Sequence, residues 1–153
     1  MSINYQRAKL SDVKLMQELV LPEVKSGKIL FRSDDEISTN IRSYTIAKDG
    51  DTLVGFVALH IHAPDLAEVR SLIVAKKARG KGVGKELVKK TLEEGRELGI
   101  TKIFTLTYEK EFFEKLSFKE IPKESLPEHK IWADCIKCKH FPICDEIALI
   151  IQP

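Results

Sequence analysis

The chain of 153 residues has little that would mark it for a membrane, a nucleic acid or an oxidising compartment. It holds no continuous apolar run of membrane-spanning length, and Met1 to Leu10 lack the long apolar stretch of a signal peptide. Net charge is only +2, from 25 basic and 23 acidic residues, which leaves no electrostatic footprint for nucleic acid. Cysteine is scarce: three residues, all in the last fifth of the chain, fit a reducing compartment better than a disulfide framework. No internal repeat and no low-complexity linker marks a second domain. These absences predict a cytoplasmic protein with neither a nucleic-acid nor a membrane partner. What the chain does have is a 43% hydrophobic content, enough for a real core, in a length that suits one compact domain.

Residues 3–9 alternate loosely, as a first strand would. Ser11 reads as the cap of a helix that buries Val13, Leu15, Met16, Leu19 and Val20. Ser33-Asp34-Asp35-Glu36 has the form of a capping box, opening a second short helix over residues 34–43. Strands are expected over 44–48 and 52–62, joined by the turn Asp49-Gly50, and over 68–74 after the break at Ala63-Pro64-Asp65. A glycine-rich loop follows, then a helix from Gly84 to Leu98 with Leu87, Val88, Leu92, Gly95 and Leu98 inward and Gly99 as a left-handed cap. A strand over 102–107, a short helix over 111–116, strands over 118–121 and 146–151, and a polar, cysteine-bearing excursion at about 122–144 complete the order. The layout is α/β: one mixed, mostly antiparallel central sheet flanked by helices, forming a single domain over 1–153.

A strand, a glycine-rich loop and a helix in succession is the arrangement that binds phosphate, with a plain tight turn that happens to be basic as the alternative. The first amides of a helix have no internal partner and carry the positive end of its dipole. Gly80, Gly82 and Gly84 let backbone approach an anion, while Arg79, Lys81 and Lys85 frame it and Val83 completes the run. The four-residue spacing of a Walker loop is absent. A dinucleotide fingerprint needs a parallel βαβ unit, and here the loop follows an antiparallel meander.

With the apolar strand Leu72-Ile73-Val74 before it, Arg79-x-x-Gly82-x-Gly84 resembles the signature of the GNAT N-acetyltransferase superfamily. A second block, from Phe112 to Phe118, is similar to that family's Phe-Tyr-Glu-Lys-Leu-Gly-Phe. The resemblance covers roughly residues 3–121. It implies a GNAT fold, acetyl-CoA as cosubstrate, a pantetheine arm alongside Leu72, Ile73 and Val74 near Phe112, and a pyrophosphate on the amides from Arg79 to Lys85.

Three further segments resemble amino-acid N-acetyltransferases of the N-acetylglutamate synthase type: Leu30-Phe31-Arg32-Ser33, Ala67-Glu68-Val69-Arg70-Ser71-Leu72, and the tail from Lys130 to Ala148. The tail resembles the ending of the short single-domain members, so no amino-acid-kinase domain and no arginine feedback through one is expected. The expected reaction is direct acetylation of the α-amine of L-glutamate, serving arginine biosynthesis. Amine acylation needs a base and a proton for the departing thiolate. Glu68 matches the family's acidic position as the base, acting through water; a solvent-facing strand glutamate is the bland alternative. Phe113 stands where many members carry the acid tyrosine, so Tyr108 is the nearest substitute; a half-buried strand tyrosine is the bland alternative. Arg32 and Arg70 suit the substrate carboxylates, and Arg70 shares a strand face with Glu68; either could instead be a surface ion-pair partner, with Arg32 meeting Asp34 or Asp35. Ser71 points to the other face unless a bulge intervenes.

Two other readings stay open: an acetyltransferase for another small amine or amino acid, and a non-catalytic acyl-CoA-binding regulatory module, kept alive by Phe113. A homodimer is also open. Cys135, Cys138, His140 and Cys144 would suit a structural zinc, but their spacing fits no common finger, and thiols packing a loop are the favoured reading. Trp132 is expected as a packing anchor, and His60 and His62 as structural residues rather than metal ligands.

Overall fold

The computed structural model describes residues 2–126 and 146–153. Seven strands form one sheet in the order β1 (Ile3–Arg7), β2 (Tyr44–Asp49), β3 (Thr52–Ala63), β4 (Leu66–Val74), β5 (Lys102–Thr107), β7 (Ile147–Ile151) and β6 (Lys119–Ile121). Every pairing is antiparallel except β4 with β5. Helices α1 (Val13–Lys25) and α2 (Asp34–Thr39) pack on one face, and α3 (Val83–Leu98) and α4 (Lys110–Glu114) on the other. The expected order of elements and the mixed sheet are thus present.

Local chemistry explains the departures from expectation. The first helix opens not at Ser11 but through a 3-10 turn at Leu10–Asp12. The Asp12 carboxylate, rather than a serine hydroxyl, accepts the Lys9 amide at 2.8 Å and pairs with Lys48 at 2.9 Å. Burial pushes the Asp12 carboxyl up, but the Lys9 amide and the Lys48 ammonium outweigh it and hold the group below the ordinary aspartate value. Val13, Met16 and Val20 are buried as expected, whereas Leu15 is exposed. Ser33 does cap α2, accepting the Glu36 amide at 3.1 Å. The helix ends at Thr39 and a separate 3-10 turn, Ile41–Ser43, completes the span to β2.

The amphipathic α3 buries Val83, Leu87, Val88, Thr91, Leu92 and Gly95 against β2, β3 and β4. Each fully buried aliphatic side chain of this kind contributes about 1.5–3 kcal/mol relative to exposure. Leu98, expected inward, is exposed, because the chain leaves the helix there through Gly99 at φ +82°. The short α4 ends in the same way with a non-glycine: Ser117 sits at φ +76°, and the Phe118 amide reaches back to the Phe113 carbonyl at 3.1 Å.

Two irregularities in the sheet position the site. From Phe56↔Ile73 to Ala58↔Arg70, β4 carries one residue more than β3, and Ser71 within this bulge has φ +59°. The parallel ladder of β4 with β5 runs only through Leu66↔Lys102, Ala67↔Ile103 and Glu68↔Phe104. Beyond Glu68 the two strands part, while β5 keeps its pairing with β7 as far as Thr107↔Ile147. A wedge opens between them.

Candidate active site

Where the strands part, the Thr105 hydroxyl donates to the Val69 carbonyl at 2.9 Å and satisfies the first backbone acceptor of β4 to lose its ladder. Thr105 carries no motif or spacing that marks it beforehand. Above it lies a cleft of about 450 Å³ lined by β4 from Glu68 to Val74, the end of β5, Tyr108, Phe112, and the segment after α1 including Ile29, Leu30 and Arg32. A concave site of this size with apolar walls and a few polar groups is what a small-molecule site requires.

One end of the cleft is made of backbone. Gly80 and Gly82 have φ of +77° and +81°, a conformation that favours glycine, and a Cβ on either would meet nothing within 4 Å. The first helical bond of α3 runs from the Glu86 amide to the Gly82 carbonyl at 3.0 Å. The amides of Val83, Gly84 and Lys85 therefore precede the helix's own bonding and point out of its positive end. Val83 anchors this turn in the core, while Lys81 and Lys85 are exposed around it. A Cβ on Gly84 would meet Phe112 at 3.4 Å and Val74 at 3.5 Å, so this glycine lets the helix start lie against β4 and α4. Arg79 turns back along β4: its Nε donates to the Val74 carbonyl at 3.1 Å and its Nη2 lies 3.5 Å from Glu23. The donor set, free helix amides framed by cations and followed by an apolar groove along Leu72, Ile73 and Val74, suits a diphosphate with a thin uncharged arm.

The other end is made of side chains. Glu68 is 1% exposed, yet forms part of the cleft wall, and its Oε1 lies 2.9 Å from His62 Nε2. Arg70, Arg32, Ser71 and Tyr108 line the same cleft. The bulge at Ser71 overrides simple alternation and brings that residue into the cleft wall together with its neighbours. Arg32 is nearly buried and donates to Glu36 at 2.7 Å, rather than forming the alternative surface pair with Asp34 or Asp35. Asp34 instead accepts from Gln17 at 3.0 Å. Phe113 is packed in the core beside Phe118, with ring centroids 5.1 Å apart. The expected zinc ligands and Trp132 lie outside the described residues; among the described residues no group of three or more His, Cys, Asp or Glu could hold a metal. Nor, among them, is any helix long and apolar enough to cross a membrane.

A model of the acetyltransferase (GNAT) family matches residues 14–118. The chain belongs to the GNAT family. As a GNAT N-acetyltransferase it acts with acetyl-CoA, and its fold is the single seven-stranded GNAT domain. It is 35% identical over 145 residues to an uncharacterised N-acetyltransferase of Chlorobaculum tepidum, covering 95% of this chain and 93% of that protein. It is 33% identical over 120 residues to the amino-acid acetyltransferase of Mycobacterium tuberculosis, covering 76% and 68%. Two solved structures share the fold. One is the Neisseria gonorrhoeae N-acetylglutamate synthase complexed with coenzyme A and N-acetyl-glutamate, with a TM-score of 0.88 and 23% identity; this chain is covered to 99% but matches only 35% of that longer chain. The other is a Mycobacterium tuberculosis protein complexed with CoA, with a TM-score of 0.82, 24% identity, and coverage of 98% and 99%. The GNAT domain here is thus related to amino-acid acetyltransferases.

Proposed function

We propose that this acetyltransferase transfers the acetyl group of acetyl-CoA directly to the α-amine of L-glutamate, in the cytoplasm and in service of arginine biosynthesis. One observation carries the reading: a buried carboxylate, Glu68, and two guanidiniums, Arg32 and Arg70, line one cleft beside the open edge of β4. L-Glutamate offers an amine for the first and two carboxylates for the others, and guanidiniums bind carboxylates in bidentate fashion. The relation to amino-acid acetyltransferases supports the same class of acceptor.

In this reading Glu68 takes a proton from the α-ammonium, directly or through a water, and frees the nitrogen for attack. Tyr108, at the cleft wall after β5, gives a proton to the departing sulfur. Backbone amides of the open β4 edge are suited to stabilising charge on the carbonyl oxygen. The amides of Val83, Gly84 and Lys85, with Arg79, Gly80, Lys81 and Gly82, hold the pyrophosphate, and Leu72, Ile73, Val74 and Phe112 flank the pantetheine arm. Acetyl-CoA supplies the activated thioester.

A second reading has an observation of its own. Glu23, Glu109 and Glu146 also line the cleft, and carboxylates there would suit a cationic amine. Thiol release from acetyl-CoA, followed with each amino acid and with spermidine, separates the two. L-Glutamate is expected to drive turnover that collapses in Glu68→Gln. Turnover with spermidine and none with L-glutamate would replace the first reading by the second.

A further inference from the structure

Glu68 is held by more than its own strand. Its register partner on β3 is His60, and the next residue on that face is His62. Between Ile61↔Ala67 and Ala63↔Leu66, β3 carries an extra residue, so His62 sits at a bulge. Bulges re-aim side chains, and here the imidazole lies over the carboxylate with Nε2 2.9 Å from Oε1. Both side chains are only 2% exposed. The ring is fixed in turn, stacked on Phe104 with centroids 5.3 Å apart and met edge-on by His60 at 4.8 Å. Phe104 faces Glu68 across the last rung of the parallel ladder. The same rung that opens the cleft therefore also seats the histidine.

We propose that His62 is the positioning residue for Glu68: it fixes one carboxylate oxygen so that the group presents a single orientation to the acceptor amine. The proposal rests on the reading of Glu68 as the base. A glutamate has three rotatable bonds, and an unanchored one on a cleft wall spreads over several rotamers. An ionised carboxylate only accepts hydrogen bonds, so Nε2 carries the hydrogen in this contact. A buried pair of this kind is weak evidence for stability, since hydrophobic residues of similar volume do as well. Its place on the wall of the acceptor cleft is what gives it a role in the reaction. No proton needs to leave the pair for His62 to act.

The test is a double-mutant cycle with acetyl-CoA and whichever amine of the panel above turns over fastest. His62→Leu is expected to lower kcat about 30-fold, the scale of a small misplacement of a catalytic group. The KM for acetyl-CoA should stay within about twofold, and His62→Gln, which keeps a donor, should recover most of the rate. In a Glu68→Gln background His62→Leu should cost less than about twofold, because the amide oxygen can still accept from His62 but no base remains to be positioned. An equal loss in both backgrounds, or no rescue by His62→Gln, overturns the positioning role while leaving Glu68 as base. A Glu68→Gln enzyme as fast as wild type overturns the base and this proposal with it, as does a panel with no turnover at all. If thermal melting shows that His62→Leu does not fold, His62→Gln and His62→Asn complete the cycle, with Asn, too short to reach Oε1, as the loss variant.

Discussion

The two ends of the cleft are built from different material. At the loop end the chain uses backbone: two glycines with positive φ and the first amides of a sixteen-residue helix. At the other end, the proposed acceptor end, it uses side chains drawn from separate segments, with Arg32 before α2, His62 on β3, Glu68 and Arg70 on β4, and Tyr108 after β5. A backbone site takes a ligand common to many enzymes and needs one contiguous stretch of sequence. A side-chain site is assembled only when the sheet brings distant positions together, and it can be altered one residue at a time. Changes at one end should therefore leave the other end's affinity intact.

Glu68→Gln should break the acceptor end most severely. General-base catalysis is worth roughly 100-fold or more, so kcat should fall by at least that, while CoA affinity by calorimetry stays within about twofold. Gly84→Leu should do the reverse. The added side chain must displace Phe112, already 3.4 Å from a Cβ at this position, and overpacking of about 1–3 kcal/mol predicts CoA binding weakened by about 30-fold. Activity at saturating acetyl-CoA should persist. Arg70→Gln should raise the KM for L-glutamate about tenfold through loss of a charge-assisted contact, again without effect on CoA.

Two substitutions probe the scaffold outside both ends. Asp12 has a folded pKa below its unfolded one, so its contribution is present above the ordinary aspartate range and lost as pH falls through the lowered value. Asp12→Asn should melt below wild type at pH 7, and the gap should close as the pH drops below about 4. The smallest effect is expected at Ser117, where relief of a left-handed non-glycine should make Ser117→Gly more stable by about 0.5–1 kcal/mol with unchanged kinetics. Ser71→Gly relieves the same kind of strain, but inside the cleft wall, and should lower kcat. Equal kinetics for the two glycine variants would show that the bulge has no part in the acceptor end.

The same contrast explains how much was legible in the sequence. The loop from Arg79 to Lys85 stood out in the sequence only through its place between Leu72-Ile73-Val74 and the Phe112 block, because alternating glycines alone also suit a plain tight turn. Strands and helices followed from period and caps, with errors at helix ends: Leu98 reads as core by spacing but is exposed just before Gly99, and Ser11 lies inside a 3-10 turn closed by the Asp12 carboxylate on the Lys9 amide. At the acceptor end, Glu68 and Arg70 were legible as two residues on one strand face. Their partners were not. Nothing in the spacing of His60 and His62 announces a bulge, and Thr105 looks like any strand threonine until the ladder beside it stops. Arg32 was picked out, but its pairing with Glu36 one helical turn on went unseen beside two nearer aspartates.

Side chains at one end of the cleft are proposed to read an acceptor with two carboxylates. Initial rates of thiol release from acetyl-CoA, compared for L-glutamate and L-glutamine at equal concentration, test it most directly, because the two differ only in one carboxylate charge. A kcat/KM for L-glutamate at least about tenfold above that for L-glutamine is expected, as one lost charge-assisted contact predicts. Equal rates for the two, or a preference for L-glutamine, would contradict it.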